Sequence, residues 1–266
     1  MPRPRALSVA GSDSGGGAGI QADLKTFSAL GVYGMTAVTA VTVQNTKGVS
    51  GYEPLSPTTV SDQIRAVVTD IGVDAAKTGM LASAEIVGAA ADALGETGVP
   101  NLVVDPVFVS KHGHALLEED AVHALRERML PLATLVTPNL PEATGLAGFE
   151  VSTRELMEDA AEVILAMGPR AVLVKAGHLE GSTAADDLFF DGNQMAWIEG
   201  KRIETPHTHG TGCTLSSAIA AHLAGGAALP DAVRAGKAFV TEAIRHALEL
   251  GDGIGPVDQL WSVPRA

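Results

Sequence analysis

The sequence contains a single cysteine, Cys213, among its 266 residues. One thiol excludes an internal disulfide and any zinc cluster built from several cysteines, and it is typical of a reducing compartment. Long apolar runs are missing as well: none reaches the ~18 residues that would span a bilayer. The first residues, Met1–Arg5, lead into a short strand-like segment without the apolar core of a signal peptide. We therefore expect a cytoplasmic protein without membrane contacts.

Basic residues are scarce, with 18 Lys and Arg against 31 Asp and Glu, for a net charge of −13. Nucleic acids and anionic membranes both require a basic surface, so neither is expected as a partner. A polyanionic small molecule could bind only where a metal ion, lysines and oriented backbone amides offset this charge. The remaining composition, 46% hydrophobic and 18% charged, is that of a globular protein. Without a linker or repeat, residues 1–266 are predicted to form a single domain.

What is present is a regular alternation of short apolar runs and helical patterns from Ala6 to Lys175. This rhythm is typical of an α/β fold with a mainly parallel sheet and helices on both faces. Strands are predicted at 6–11, 36–43, 102–107, 133–137 and 171–175, with a further strand ending at Lys77–Met80. Two β-type runs around Asp191-Gly192 predict an antiparallel hairpin at one sheet edge. Closing helices are predicted at 214–223 and 230–250.

The stretch from His209 to Ala218 is the first candidate for chemistry. Gly210 and Gly212 allow a tight turn and close approach of a ligand, and an amphipathic run starts directly after them. The unpaired N–H groups and positive dipole of a helix N-terminus suit a phosphoryl group, and Cys213 lies beside them. Two such glycines alone could also make only a tight turn, so the interpretation depends on the rest of the chain.

Polar residues follow three predicted strands. Asp105 and Glu142 lie at or just past strand ends, where ligands bind in open α/β sheets, and together they favour a Mg²⁺ site. Either one alone could be a helix cap or a surface charge. Gln44 follows another strand and carries both a donor and an acceptor, which could read a ring nitrogen beside an amino group. A turn amide that satisfies its own loop is an equal alternative for Gln44.

A second glycine-rich loop, at 12–19, follows the first strand. It lacks the Gly-Lys-Ser/Thr ending of a phosphate-binding P-loop and a regular Gly-x-Gly-x-x-Gly pattern, which disfavours a nicotinamide-dependent dehydrogenase. Asp23, one turn into the next helix, is typical of a solvated residue or a dipole partner. For His207 and His209 we expect loop hydrogen bonding, because the sequence offers no third metal ligand nearby.

Six segments occur in order: Ala10–Asp23, Val43–Thr46, Lys77–Met80, Val104–Val107, Thr137–Glu142 and His209–Ser217. Together they closely resemble the hydroxymethylpyrimidine/phosphomethylpyrimidine kinases of thiamine biosynthesis, members of the ribokinase-like superfamily, and the resemblance covers nearly the whole chain. It implies a ribokinase-like three-layer α/β/α sandwich, a homodimer, and phosphorylation of 4-amino-5-hydroxymethyl-2-methylpyrimidine and then of its monophosphate. ATP and Mg²⁺ would be needed, and a monovalent-cation requirement is left open. Pyridoxal kinases share much of the pattern, so a pyridoxal or dual-specificity kinase is the nearest alternative, and a non-catalytic pyrimidine-binding protein is a more distant one.

The resemblance also implies residue roles. The implied substrate pocket consists of Gly11, Asp23, Gln44, Met80 and Val107. The implied metal residues are Asp105 and Glu142, the nucleotide residues are Asn139, Lys175, Thr211 and Lys237, and the catalytic anion hole is Gly210, Thr211, Gly212 and Cys213. The chain departs from the family pattern at Phe108 and at Lys111–Gly113, in a predicted flap over the substrate.

Cys213 stands where the wider superfamily has an aspartate that takes the proton of the alcohol. A helix N-terminus can lower a cysteine pKa, so a thiolate base and an inert small residue are both open. The monophosphate attacks through an oxygen that is already ionised and needs no base, and an aspartate would repel it. We therefore hypothesise that cysteine at 213 tolerates the phosphorylated substrate.

Overall fold

The computed structural model describes residues 3–107, 119–177 and 184–264. Within these residues one sheet has the strand order β3-β2-β1-β4-β5-β6-β7-β8-β9. The strands are β1 (Arg5–Ser12), β2 (Tyr33–Asn45), β3 (Gly48–Pro54), β4 (Ala75–Thr78), β5 (Leu102–Val104), β6 (Leu135–Val136), β7 (Val172–Val174), β8 (Asp187–Phe190) and β9 (Met195–Ile198). The helices are α1 (Gly19–Ala29), α2 (Pro57–Asp70), α3 (Ala84–Thr97), α4 (Glu119–Ala124, continued by a π-turn and a 3₁₀ turn to Leu132), α5 (Leu140–Ala147), α6 (Arg154–Leu165), α7 (Thr211–Ala224) and α8 (Leu229–Arg245).

The sheet is parallel in its centre and antiparallel at both edges. Strands β2, β1, β4, β5, β6 and β7 pair in parallel. The β8–β9 hairpin continues the sheet antiparallel to β7, which confirms the predicted edge hairpin. A second hairpin, β2–β3, was not predicted, because Gly48–Pro54 has low intrinsic β-propensity. Its backbone is held by pairing with β2, for example Gly51 opposite Val43.

An apolar core lies on each face of the sheet, where the strands pack against the helices. Successive strand residues face opposite sides, so Ala75 belongs to one core and Ala76 to the other. Phe27 of α1 packs in the first core with residues of α7 and α8, whereas Ile64 of α2 and Met157 of α6 pack in the second with residues of α3 and α5. The predicted layers of helices on both sheet faces are therefore confirmed.

Two helix boundaries differ from the prediction. Helix α7 begins at Thr211 rather than at residue 214, because Gly210 adopts a left-handed conformation (φ 84°) and starts the helix directly. Helix α8 ends at Arg245 rather than at residue 250, and the Leu248 N–H then donates to the Pro256 carbonyl outside the helix. None of the helices within residues 3–107, 119–177 and 184–264 is long and apolar enough to cross a membrane.

Candidate active site

A cavity of about 460 Å³ opens at the carboxyl ends of the parallel strands. This is the edge of an α/β sheet at which ligands bind. The N-terminus of α7 closes one side of it. All of the predicted site residues except Asp23 line this cavity: Gly11, Gln44, Met80, Asp105, Val107, Asn139, Glu142, Lys175, Gly210, Thr211, Gly212, Cys213 and Lys237.

The N-terminus of α7 brings backbone N–H groups to the cavity. No side chain caps it, and the N–H groups of Gly212 and Cys213 have no acceptor inside the helix, whereas the Thr211 N–H donates to the Thr208 carbonyl at 3.4 Å. A Cβ at residue 210 would lie 1.8 Å from the Gly17 carbonyl oxygen, so only glycine fits there. A Cβ at Gly212 would lie 3.5 Å from Asp105 Oδ2 and 3.6 Å from Lys175 Nζ. The free amides, an acid and a lysine therefore meet at one point of the cavity.

Asp105 is a buried carboxylate with several donors. Its Oδ1 accepts from Lys175 Nζ at 2.9 Å and from Thr137 Oγ1 at 3.1 Å, and Ser216 Oγ lies 3.4 Å from its Oδ2. Burial acts to raise the pKa of Asp105, but the neighbouring charges of Lys175 and Lys77 lower it below its usual range. Asp105 is thus negatively charged at neutral pH.

Glu142 is both a helix cap and a cavity residue. It completes a capping box at the start of α5, where its Oε2 accepts from the Asn139 N–H at 2.8 Å and Asn139 Oδ1 accepts from the Glu142 N–H at 2.9 Å. The same Oε2 lies 3.8 Å from Lys175 Nζ. Burial raises the pKa of Glu142 to about 7, although the positive charge of Lys175 opposes the shift. The helix-cap alternative is therefore correct, and it coexists with a position in the cavity.

Two lysines place positive charge at the cavity. Burial disfavours the charge of Lys175, but Asp105 and Glu142 raise its pKa to about 12. Lys237 Nζ donates to Asp187 Oδ2 and to the Ala185 carbonyl, both at 2.7 Å. Each ammonium is thus fixed in place by buried acids before any ligand binds.

Asp23 does not take the implied position in the substrate pocket. It has no exposed surface and accepts hydrogen bonds from Ser8 Oγ at 2.5 Å, Ser217 Oγ at 2.6 Å and Lys77 Nζ at 3.0 Å. Helix α1 packs against β1 and α7. The Asp23 side chain points into this packed region rather than to solvent or into the cavity. Lys77 is also fully buried but lines the cavity. No role for Lys77 is predicted from the sequence, although a lysine within an apolar strand is a signal that could identify it.

Cys213 faces the cavity and is partly exposed. Its surroundings raise the pKa of the thiol to about 11: burial is the main cause, and the positive charge of Lys77 only partly opposes it. This shift is opposite to the one that a thiolate base requires. The helix N-terminus therefore does not activate this cysteine, and the thiol is protonated at neutral pH.

The glycine-rich loop at 12–19 connects to the predicted substrate residue Gln44. Asp13 accepts from the N–H groups of Gly17 at 3.0 Å and Ala18 at 2.8 Å, and its Oδ2 lies 2.8 Å from His209 Nε2. The same His209 nitrogen lies 3.3 Å from the Gln44 side-chain amide. His209 thus makes loop hydrogen bonds, as expected. The departures at Phe108 and Lys111–Gly113 lie outside the described residues.

Comparison with known proteins identifies close relatives. Residues 13–258 match the family model described as phosphomethylpyrimidine kinase. A hydroxymethylpyrimidine/phosphomethylpyrimidine kinase of Streptomyces coelicolor is 54% identical over 260 residues, which are 98% of this chain and 96% of the relative. The solved phosphomethylpyrimidine kinase of Clostridium difficile 630 is 44% identical with a TM-score of 0.81, covering 91% of this chain and 100% of that one. An ADP complex of Bacillus subtilis pyridoxal kinase is 40% identical with a TM-score of 0.90, covering 97% of this chain and 98% of that one.

These likenesses extend over 91–98% of this chain. The structural agreement with solved kinases confirms the ribokinase-like α/β/α architecture. The family model matches residues 13–258, which include five of the six segments that carried the sequence resemblance and the sixth from Asp13 onward. The chain belongs to the phosphomethylpyrimidine kinase family.

Proposed function

We propose that this chain transfers the γ-phosphoryl group of ATP to the hydroxyl of 4-amino-5-hydroxymethyl-2-methylpyrimidine, and a second phosphoryl group to the resulting monophosphate, in thiamine biosynthesis. The observation that carries the proposal is the meeting of the uncapped α7 N-terminus with Asp105 and Lys175 in one cavity. The names of the Streptomyces and Clostridium relatives support the substrate class. Residues 1–266 would act as one domain, because a single sheet takes strands from Arg5 to Ile198.

In each step an oxygen of the pyrimidine substrate forms a bond to the γ-phosphorus, and the bond from that phosphorus to the bridging oxygen breaks to release ADP. The transition state is loose, so alignment and neutralisation of charge matter more than early proton removal. The amides of Gly212 and Cys213 would stabilise the equatorial oxygens, with Thr211 and Gly210 completing the anion hole. Because the Cys213 thiol is protonated, we propose that it does not act as a base. The alcohol proton then passes to a phosphate oxygen or to water.

The carboxylates fit a magnesium ion that keeps water or phosphate ligands. Asp105 and Glu142 both lie near Lys175 Nζ, at 2.9 and 3.8 Å. No group of three or more His, Cys, Asp or Glu side chains that could hold a metal is found among the described residues. Two carboxylates with water and phosphate oxygens are the ligand set that Mg²⁺ prefers, and the ion would neutralise charge on the phosphates.

The nucleotide would lie along the cationic side of the cavity. Lys175 and Lys237 line it together with the exposed Lys201 and Arg202, although the chain carries a net charge of −13. Asn139 and Thr211 would complete the contacts. The ADP bound to the related pyridoxal kinase supports ATP as co-substrate. Rates measured with and without K⁺ decide whether a monovalent cation is needed.

The pyrimidine would bind at the opposite end, against Gln44, Gly11, Met80 and Val107. These residues combine one donor–acceptor amide with an apolar wall, which suits a flat heteroaromatic ring. Pyridoxal is the second candidate substrate, because the pyridoxal kinase of Bacillus subtilis has nearly the same fold over 97% of this chain.

Homodimer formation and a cytoplasmic location are part of the same proposal. Val41 and Val43 lie on one face of β2 and are 49% and 64% exposed, which is unusual for two valines in a strand. A second copy that packs on this face would bury them. Light scattering should give a dimer mass, and Val43→Glu should shift it towards the monomer. A monomer mass for the unmodified chain would contradict this part of the proposal.

The deciding experiment is coupled ATP turnover with the hydroxymethylpyrimidine, its monophosphate and pyridoxal side by side, each with Mg²⁺ and with EDTA. We expect Mg²⁺-dependent turnover of both pyrimidines at higher kcat/KM than pyridoxal. Turnover of pyridoxal alone would replace the proposal by its alternative. Absence of turnover with all three substrates would refute a kinase function.

A further inference from the structure

The proposed phosphoryl transfer assigns no role to one set of buried contacts. These contacts run from Asp13 through His209 to Gln44. Asp13 and His209 are both buried, at 2% and 7% exposure. His209 Nε2 lies between Asp13 Oδ2, at 2.8 Å, and the Gln44 amide, at 3.3 Å. The other end of that amide lies 3.2 Å from Thr42 Oγ1. The substrate-facing amide is therefore held from both sides.

As the side chain is placed, Gln44 Nε2 faces His209 Nε2 and Gln44 Oε1 faces Thr42 Oγ1. The hydrogens available in this cluster favour the opposite assignment of the two amide atoms. Asp13 is a carboxylate: burial would raise its pKa, but the hydrogen bonds from His209 and from the amides of Ala18 and Gly15 lower it. A carboxylate can only accept, so the 2.8 Å contact requires a hydrogen on His209 Nε2. That nitrogen then has no lone pair for an NH₂ group. The Gln44 atom beside it is then the amide oxygen, which shares the single Nε2 hydrogen with Asp13 at the longer distance of 3.3 Å.

Thr42 imposes the same orientation from the other side. Its hydroxyl donates to the Ser12 carbonyl at 2.8 Å, which uses its single hydrogen. Only lone pairs of Thr42 Oγ1 remain for Gln44, and they require the NH₂ group there. Which end of a glutamine amide carries the oxygen and which carries the nitrogen is assigned from such hydrogen-bond networks. Both neighbours assign the oxygen of Gln44 to the His209 side and its nitrogen to the Thr42 side.

We propose that His209, held by Asp13, and Thr42 are positioning residues that lock the Gln44 amide in one orientation and thereby determine substrate specificity. This inference rests on the proposed function and extends it. A locked amide accepts from an exocyclic amino group and donates to the adjacent ring nitrogen. It therefore selects a 4-aminopyrimidine over the 4-oxo analogue, whose ring N–H and carbonyl present the reversed pattern.

The test compares the 4-amino substrate with its 4-oxo analogue in matched variants. His209→Leu removes the donor, whereas His209→Gln keeps an N–H at the same number of bonds from the backbone. The quantity measured is the ratio of kcat/KM for the amino compound to that for the oxo compound. Sites that hydrogen-bond a substrate can discriminate by 10⁴-fold or more, so we expect His209→Leu to lower the ratio by about tenfold or more. His209→Gln should restore most of it.

A second pair of variants protects the test against a folding defect at residue 209. Thr42→Val removes the acceptor for the Gln44 NH₂ group, and Thr42→Ser retains it. Thr42→Val should lower the same ratio and Thr42→Ser should not. A role limited to structure would reduce kcat/KM for both compounds by one common factor. An unchanged ratio in His209→Leu and Thr42→Val would overturn the inference.

Calorimetric dissociation constants for the two pyrimidines separate this inference from the proposed function. If the unmodified chain binds the amino compound selectively but does not phosphorylate it, the kinase proposal fails and the inference stands. If it phosphorylates the amino compound while the variants leave the selectivity unchanged, only the inference fails.

Discussion

The buried pair of Lys77 and Asp23 gives the sharpest stability prediction. Lys77 Nζ lies 3.0 Å from both oxygens of Asp23, and neither side chain has exposed surface. Lys77→Met keeps the length of the side chain and removes its charge. Asp23 then retains only the hydroxyls of Ser8 and Ser217 as side-chain partners. A buried negative charge is left without its counterion.

Breaking a buried ion pair on one side costs about 3–5 kcal/mol, because the remaining charge stays desolvated. An unfolding entropy of about 2.1 cal/mol/K per residue amounts to roughly 0.56 kcal/mol/K for a chain of this length. The melting temperature of Lys77→Met should therefore fall by about 5–9 °C.

The assay is differential scanning calorimetry of the unmodified chain, Lys77→Met and the matched variant Lys47→Met. Lys47 pairs with Asp252 at 2.7 Å, but the two side chains are 63% and 84% exposed. Exposed pairs contribute little, so this control should stay within about 2 °C. The double variant Asp23→Asn/Lys77→Met removes both charges and should recover part of the loss. Equal melting temperatures for Lys77→Met and the Lys47→Met control would refute the reasoning.

Three further predictions concern phosphoryl transfer, and a fourth concerns stability at low pH. Asp105→Asn should lower kcat by about 100-fold or more and raise the Mg²⁺ concentration at half-maximal rate, and an unchanged Mg²⁺ midpoint would speak against its metal role. Cys213→Ala should keep alcohol phosphorylation within about tenfold, since a thiol with a pKa of about 11 is no base at neutral pH. Cys213→Asp should damage phosphorylation of the monophosphate more than that of the alcohol, and equal losses would contradict the repulsion hypothesis. The pKa of Asp13 is lowered in the fold, so its contribution to stability is present above its ordinary pKa and lost as the pH falls through the folded value. Asp13→Asn should therefore be less stable at pH 7 but lose less stability between pH 5 and pH 3, as thermal unfolding at each pH would reveal.

The central fold could be predicted because the period of apolar residues is a local property. Strand and helix alternation gave the parallel sheet and its two helical layers, and the Asp191-Gly192 turn gave the β8–β9 hairpin. Strand β3 could not be predicted, because Gly48–Pro54 becomes a strand only through pairing with β2. Pairing with β2 overrides the low intrinsic β-propensity of this segment.

In the site, positions at strand ends were predictable and directions of side chains were not. Asp105 and Glu142 lie at the cavity because parallel strands end at one edge of the sheet. Asp23 was misplaced, because its position in α1 does not reveal that Ser217, almost two hundred residues later, faces it. The pKa of Cys213 depends in the same way on burial that the sequence does not encode locally.

The double engagement of Glu142 has a consequence for mutagenesis. One carboxyl group both caps the first turn of α5 and lines the cavity, so under the proposed function a truncation at 142 should affect folding and ligand affinity together. Glutamine at 142 would preserve an oxygen for the Asn139 amide while removing the titratable carboxyl group. Glutamine, rather than alanine, is thus the replacement that isolates the electrostatic contribution from the architectural one.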